Sequence, residues 1–410
     1  MHPKIPLLLN RMRRDWEEVS PRVKRTLLAI VMGCLPVFLM AQGVAERIEP
    51  FMLSRWFDLR GERPLPQSVT IVRIDKRAYD AVGLSLGEMF PRDALAKAVS
   101  EITRAGAKLI ILDGVLQRPG PSPEIDQALA EAIRNAPMYI GRYDESLVDV
   151  SPQGEKVVKR SPVTPIPLFA QSAKGVMSLE VRPTFGIIRE ISLSNNQVIF
   201  SEVNVPLLPP IRAFVDPDTP EPGGFDYINF YGGPSTISSV SLAELLNDRP
   251  SVDPEYFRDR VVLIGIASEA RTGIAAGKDT FITSISSSPM YGVEIHATIA
   301  ANLIDRSWVR RLSLPVEGAL MGTLAFLIGY AILVAGPLVG LAVAGGWFVV
   351  SYVAFAKYHL FLPGLTVFLI VSLVTVFFYW GLPALLRRRA ASIAAYSEQT
   401  GSFPVDGYSA

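Results

Sequence analysis

The sequence predicts an α/β fold, with a mostly parallel sheet and helices on both faces, together with four transmembrane α-helices. Two observations support this prediction. Between residues 48 and 312, short apolar runs rich in β-branched residues alternate with stretches of helical periodicity. Four other runs are apolar and long enough to cross a bilayer core of about 30 Å, which requires about 20 helical residues. Hydrophobic residues make up 49% of the 410-residue chain, and the excess is concentrated in these four runs.

The predicted transmembrane helices occupy one position near the start of the chain and three near its end. They are residues 26–45, 314–335, 337–356 and 360–382. An alternative for the first helix is a cleaved signal peptide, because Gly43, Val44 and Ala45 resemble a cleavage site. Its apolar run is longer than a typical signal core and is preceded by acidic residues, which favours a retained anchor.

The distribution of basic residues predicts the orientation of the chain. Lys and Arg are frequent in residues 1–25, before the first span, and recur at 387–389, after the last. Since such residues favour the cytoplasmic side, we expect residues 1–25 and the tail 387–410 to be cytoplasmic. An even number of spans then places residues 48–312 on the outer side of the membrane.

The outer region reads as alternating strands and helices, which favours right-handed parallel crossovers. The predicted strands are residues 68–74, 108–112, 138–140, 225–231 and 260–265. The predicted helices are residues 91–105, 124–135, 239–247 and 292–304. The proline-rich stretch 141–215 is predicted to be an excursion of short antiparallel strands and loops.

Composition argues against several chemistries. Cys34 is the single cysteine, which excludes a disulfide within the chain and a thiolate zinc site. Three histidines leave little material for metal or triad chemistry; they are His2, His296 and His359. Forty basic and 39 acidic residues give a net charge of +1, so the whole-chain charge does not indicate a nucleic-acid partner.

Two motifs resemble enzyme signatures without meeting their structural requirements. A G-x-S-x-G pattern surrounds Ser85, but no strand immediately precedes it and Pro91 delays the following helix. The segment 273–280 resembles a phosphate-binding loop, but it is one residue short, and Asp279 stands where a magnesium-binding Ser or Thr is needed. We therefore expect no enzymatic activity, no cofactor and no metal site.

The candidate ligand-binding residues lie where predicted strands end. Asp75 and Asp113 end neighbouring strands, and ligands of open parallel sheets bind beyond the carboxyl ends of the strands. Asn229, in another predicted strand, borders the same rim. His296 lies near the start of the last predicted helix. The alternatives are that the aspartates cap helices and that His296 is a hydrogen-bonded structural residue.

One face of the second predicted span carries small residues. Gly318, Gly322, Ala325 and Gly329 follow one another at steps of three or four and share that face. Small residues allow a neighbouring helix to approach closely, where packing drives association in lipid. The partner is either another helix of this chain or a helix of another copy or another membrane protein.

Several segments of the outer region resemble the CHASE2 family of extracellular sensory domains, which are associated with bacterial cyclases and histidine kinases. The matching segments are 72–75, 90–92, 105–113, 228–233, 240–246, 261–265 and 292–297. The resemblance covers about residues 55–311 and implies one span before the sensor and three after it, in the bacterial inner membrane. Arg92 lies in one matching segment and joins the ligand-binding candidates.

Two hypotheses of function follow from this resemblance. The first is a periplasmic sensory domain that lacks its own catalytic output and signals to separate proteins, because residues 387–410 are too few to form a catalytic domain. The second is a structural or accessory subunit of a larger inner-membrane complex. Expected partners are membrane lipids, other membrane proteins or a second copy in a homodimer, and an unknown small molecule.

Overall fold

The structure is a computed structural model. It describes residues 19–150, 156–181, 186–191, 211, 226–247, 251–267, 279–285 and 289–377, with six further positions between 381 and 392. The chain divides into two compact units. The helical unit comprises the described residues up to Met52, then Leu312–Lys357 and those from Phe361 onward. The sheet unit comprises Leu53–Arg311 and Tyr358–Leu360.

The sheet unit contains ten strands among its described residues. They are β1 (Val69–Ile74), β2 (Leu109–Asp113), β3 (Met138–Val150), β4 (Lys156–Val163), β5 (Gly175–Ser178), β6 (Ile187–Ile188), β7 (Ser239–Ser241), β8 (Val261–Ile266), β9 (Thr280–Thr283) and β10 (Met290–Tyr291). Its α-helices are α3 (Lys76–Ala81), α4 (Arg92–Arg104), α5 (Pro123–Arg134), α6 (Pro167–Ser172), α7 (Ala243–Leu246) and α8 (Gly292–Asp305).

The main sheet is mostly parallel, as the sequence predicts. Its order is β4-β3-β2-β8-β1-β7, with β5 also paired to β3, and only the β3–β4 pair is antiparallel. β8 enters between β1 and β2, although it follows both in the chain. A second sheet has the order β10-β9-β6.

Helices cover both faces of the main sheet. Side chains alternate between the faces of a strand, and in β2 the buried Ile110 and Leu112 join the core formed with α4 and α5. Leu109, Ile111 and Asp113 therefore point to the opposite face. On that face α8 packs against β1 and β8. Asp113 thus ends β2 on the side occupied by α8.

Two predicted elements of the sheet unit are wrong. Residues 226–231 do not form the predicted strand, because their backbone groups bond to other partners: Ile228 N donates to Arg189 O, and Asn229 N donates to the Asn302 side chain. Residues 239–247 are not a single helix. Ser239–Ser241 pair with β1 as strand β7, since that edge of the sheet otherwise lacks a partner, and only Ala243–Leu246 are α-helical.

The helical unit contains α1 (Pro21–Ala41), α9 (Leu314–Ala335), α10 (Pro337–Tyr358) and α11 (Leu365–Val376), while α2 (Ala45–Arg60) continues into the sheet unit. Of the helices described, α1, α9 and α10 are long and apolar enough to cross a membrane. The fourth predicted span, 360–382, is represented by the shorter α11, and residues 378–380 lie outside the described residues. α1 begins earlier than predicted because Ser20 caps its first turn, accepting from Val23 N at 3.4 Å.

A buried carboxylate determines where α11 begins. Glu49 of α2 accepts the backbone N–H groups of Gly364, Leu365 and Thr366 at 2.7–3.2 Å. These amides have no partner within their own helix, and the positive end of the helix dipole favours a carboxylate there. Glu49 therefore supplies from another helix the N-terminal cap that Gly364 cannot provide.

The small-residue face of α9 lies against α1. A Cβ atom on Gly318 would meet the Met40 side chain at 2.7 Å, and one on Gly329 would meet that of Met32 at the same distance. The two backbones face each other directly at Gly33 and Gly322, because a Cβ on Gly33 would lie 2.9 Å from the Gly322 carbonyl oxygen. Packing of this kind drives helix association in lipid, where the hydrophobic effect contributes little.

Gly33→Ala should weaken the packing of α1 on α9, because the new methyl group meets a backbone oxygen that cannot rotate away. Gly345→Ala of α10 is the matched control, since a Cβ there meets nothing within 4 Å and helix propensity improves by up to about 1 kcal/mol. The measurement is the unfolding temperature of the detergent-solubilised chain. If the unfolding temperature of Gly33→Ala equalled or exceeded that of the wild-type chain, the close approach of α1 to α9 would be contradicted.

Candidate functional site

Three ionisable side chains meet at the carboxyl edge of the main sheet. His296 of α8 places Nδ1 3.2 Å from Asp113 Oδ1, and both side chains are only 6% exposed. The third group is Asp279, which directly precedes β9, packs on Gly292 at the start of α8, and interacts electrostatically with the other two. We call Asp113, His296 and Asp279 the acid–histidine cluster. It lies beyond the end of a central strand, where ligands of open parallel sheets bind.

Two glycines make room for the cluster. A Cβ on Gly265 of β8 would lie 2.7 Å from Val293 Cβ and 3.0 Å from Asp113 Cβ, so a side chain there would separate α8 from the sheet. A Cβ on Gly292 would lie 2.6 Å from Asp279 Oδ1. The backbone of Gly292 also donates to Asp279 O at 3.0 Å. The carboxyl group of Asp279 therefore packs at the first residue of α8, one turn before His296.

The charges of the cluster perturb one another. Burial alone lowers the pKa of His296, but the charge and hydrogen bond of Asp113, the charge of Asp279 and a backbone hydrogen bond with Leu179 together raise that pKa above its ordinary value. Burial, and then repulsion from Asp113, raises the pKa of Asp279 from 3.8 to about 7, although attraction by His296 opposes the rise. The raised pKa of His296 thus favours its protonated ring beside two carboxyl groups.

One atom of the cluster is left without a partner. Asp113 Oδ2 is buried and accepts no hydrogen bond from any described residue. A buried polar atom without a partner is costly, and a bound water, an ion or a functional role are among its explanations. Within the described part of the chain, no three His, Cys, Asp or Glu side chains are arranged to hold a metal ion.

Asp75 has a role in local structure. Its Oδ1 accepts the N–H of Ala78 at 3.0 Å, capping α3, and the hydroxyl of Ser241 at 2.6 Å. The aspartate therefore ties the start of α3 to strand β7. This is the helix-capping alternative that the sequence leaves open, and the structure does not bring Asp75 together with the acid–histidine cluster in any hydrogen bond among the described residues.

Arg92 lies in a buried ion pair. Its guanidinium donates to Asp126 of α5 and to the Arg118 carbonyl, and it lies 5.0 Å from the ring centroid of Phe169. Asp126 also accepts the N–H of Gly120 at 2.9 Å. The pair therefore joins α4 to α5 and to the loop before α5, and its hydrogen bonds are made within the domain.

Asn229 joins the loop after residue 226 to the end of α8. Its N–H donates to the Asn302 side chain at 2.7 Å, and its amide nitrogen donates to Ser307 O at 2.5 Å. Asn302 donates back to Asn229 O at 3.1 Å, and Arg60 donates to the Asn229 side chain. Of the five candidate residues, the structure thus brings together Asp113 and His296 alone.

Sequence reasoning overlooked Asp279 as a site residue. In the sequence, Asp279 stands out only as a departure from a phosphate-binding loop, and residues 273–278 of that segment lie outside the described residues. No local pattern indicates that Asp279 lies near Asp113, because Asp279 precedes a strand of the second sheet and Asp113 ends a strand of the main sheet. One feature of the sequence could have indicated Asp279 as a candidate. The residue directly precedes residues 280–283, a run rich in β-branched residues that predicts a strand.

The chain combines an α/β domain, which carries a buried charged cluster at its sheet edge, with three helices apolar enough to cross a membrane. The chain matches the family model of the CHASE2 domain over residues 27–335, which is more than half of its length. It therefore belongs to the CHASE2 family, a family of sensory domains. The match begins within α1 and ends with α9. Neither the curated proteins nor the solved structures include a match.

Arg92→Ala should lower the free energy of unfolding of the sheet unit by about 3–5 kcal/mol, because it leaves Asp126 buried without its charge partner. Arg104→Ala of the same helix is the matched control, since the Arg104–Glu101 pair is exposed and such pairs contribute at most about 1 kcal/mol. Chemical denaturation followed by circular dichroism measures both variants. Equal losses for the two would show that the buried pair has no special role.

Proposed function

We propose that this chain is a membrane-anchored sensory protein whose sheet unit lies in the periplasm and whose signal is received at the acid–histidine cluster. The observation that carries the proposal is a CHASE2 sensory domain in one chain with three helices apolar enough to span a membrane. Basic residues before α1 and after α11 support cytoplasmic termini in a bacterial inner membrane. Signalling to a separate cytoplasmic protein is part of the proposal.

The connection between α8 and α9 supports a route for the signal. It consists of residues 306–313, and its first part is hydrogen-bonded within the sheet unit: Val309 and Tyr227 exchange two backbone bonds at 2.8 and 2.9 Å. This segment is the covalent connection through which a shift of α8, the helix that carries His296, would reach α9 in the proposed function.

An accessory subunit of a larger membrane complex is the alternative function. Support for this alternative would come from the small-residue face of α9 if that face were a surface for another protein. Because Gly318, Gly322 and Gly329 of that face lie against α1, the face supports packing within this chain, and we favour the sensory function.

Cysteine labelling tests the orientation. In a Cys34→Ser parent, which has no other cysteine, Asp80→Cys of α3 and Ser402→Cys of the tail each provide one thiol. A membrane-impermeant maleimide added to spheroplasts should label the cysteine at 80 at once, and the cysteine at 402 only after permeabilisation. The reverse order would overturn the proposed orientation.

Gly265→Ala tests the coupling of α8 to α9, because the added methyl group meets Val293 and should displace α8 from the sheet. Hydrogen exchange of the full chain in lipid nanodiscs should then increase in residues 292–305 and change in residues 314–335. Gly114→Ala is the matched control, since its Cβ makes only an ordinary contact at 3.8 Å with Leu112. A change confined to residues 292–305 would argue against the coupling.

A further inference from the structure

The acid–histidine cluster combines features that favour a proton over a larger ligand. Asp113 and His296 are each 6% exposed, so the pair is almost closed to solvent. A proton needs no cavity, whereas an organic ligand must displace side chains to reach Asp113 Oδ2. The cluster also contains more acid than base, with two carboxyl groups for one imidazole. Two carboxylates that share a buried site cannot both ionise freely, and one of them retains a proton to unusually high pH.

The bonds of the imidazole fix its charge. Nδ1 of His296 faces Asp113 Oδ1, and the ring also forms a hydrogen bond with the backbone of Leu179. An imidazole with an acceptor at each ring nitrogen donates twice only in its protonated form. These bonds favour the protonated ring, in line with the raised pKa of His296, and the additional proton of the cluster is assigned to Asp279.

Other charged groups nearby have partners of their own. Glu294 of α8 accepts the N–H of Ser235 at 3.1–3.2 Å, and the charge that acts on it is that of Arg73 on β1. β8 contributes Gly265, which has no side chain. Among the described residues, Asp113 of β2 and His296 of α8 are the charged groups that act on Asp279. Within the described part of the chain, the charge balance of the cluster is therefore set by its own three members.

We propose that Asp113, His296 and Asp279 form a proton-binding switch, in which a proton on Asp279, beside the Asp113–His296 pair, holds the start of α8 in place. This inference rests on the proposed sensory function and names its input as pH. Loss of the proton leaves two carboxylates beside one imidazolium, and the repulsion is relieved by moving Asp279 away. Asp279 carries Gly292 with it, because the two share a backbone hydrogen bond and direct packing.

The direction of the pH effect follows from the raised pKa of Asp279. The folded protein keeps this proton at pH values where the unfolded chain has lost it, so the stabilisation is complete below about pH 3.8 and is lost as the pH rises through about 7. The raised pKa of His296 acts in the same direction. At acidic pH the cluster therefore holds its proton and keeps the start of α8 in place. Above neutrality the proton is lost and the start of α8 loosens.

Histidine NMR of the full chain in lipid nanodiscs tests the proton site. With ¹³Cε1-labelled histidine the chain gives three signals, and His296→Gln assigns one of them. Between about pH 5 and about pH 9 the His296 signal should show a small step centred at about pH 7, as its neighbour ionises. Full deprotonation of His296 near its ordinary pKa of about 6.5, or no step at all, would overturn the proposal.

Variants of the two carboxyl residues identify the group whose ionisation causes the step in the His296 signal. Asp279→Asn should abolish it, and Asp113→Asn should lower its midpoint by about one pH unit or more, because the repelling charge is removed. Asp80→Asn, an exposed aspartate of α3, is the control and should leave the step unchanged. A step that persists in Asp279→Asn would contradict the assignment, and the wild-type titration remains decisive if that variant does not fold.

Hydrogen exchange tests the switch. After correction for the intrinsic effect of pH, residues 289–305 of the wild-type chain should exchange faster at about pH 8 than at about pH 6, and Asp279→Asn should remove the difference. Equal protection at both pH values would overturn the switch. These results are independent of the labelling experiment, so a failed proton site would leave the sensory function standing, and a reversed orientation would leave the proton site standing.

Discussion

The approach of α8 to the parallel sheet is the contact on which the candidate site depends. It is possible because Gly265 lies in the central strand β8, where a side chain would collide with Val293. Since α8 lies this close, His296 reaches Asp113 at the end of the adjacent strand. The same approach brings the first residue of α8 against Asp279. Without it, the three ionisable groups would face separate environments and would not perturb one another.

The chain stabilises its buried charges in different ways, and the contrast identifies the unusual one. Asp126 is neutralised by Arg92 and bonded to the Gly120 backbone, so its charge is compensated. Glu49 accepts three N–H groups at the start of a helix, which compensates a carboxylate without a cation. Among the described residues, the acid–histidine cluster has one more acid than base, and its Asp113 Oδ2 accepts no hydrogen bond. Perturbed ionisable groups of this kind cluster at functional sites.

The regular part of the fold was predictable because its local signals agree with its tertiary environment. The apolar run that ends at Asp113 is buried on both sides and forms a central parallel strand, and the helices after β1 and β2 show clear amphipathic periodicity. Residues 239–247 were wrongly predicted to form one helix. Pairing of their first residues with the free edge of β1 outweighed their helical pattern. Residues 226–231 look like a strand, yet side chains such as Asn302 satisfy their backbone groups.

The sequence by itself determined the apolar helices, the alternation of strands and helices, and the position of Asp113 at a strand end, because these depend on local periodicity and burial. It also placed small residues on one face of α9. Only the tertiary structure decided that α1 covers that face, that Arg92 and Asp75 bond within the interior, and that Asp279 joins Asp113 and His296. Such pairings join residues far apart in the chain, and local patterns carry no information about which distant groups will meet.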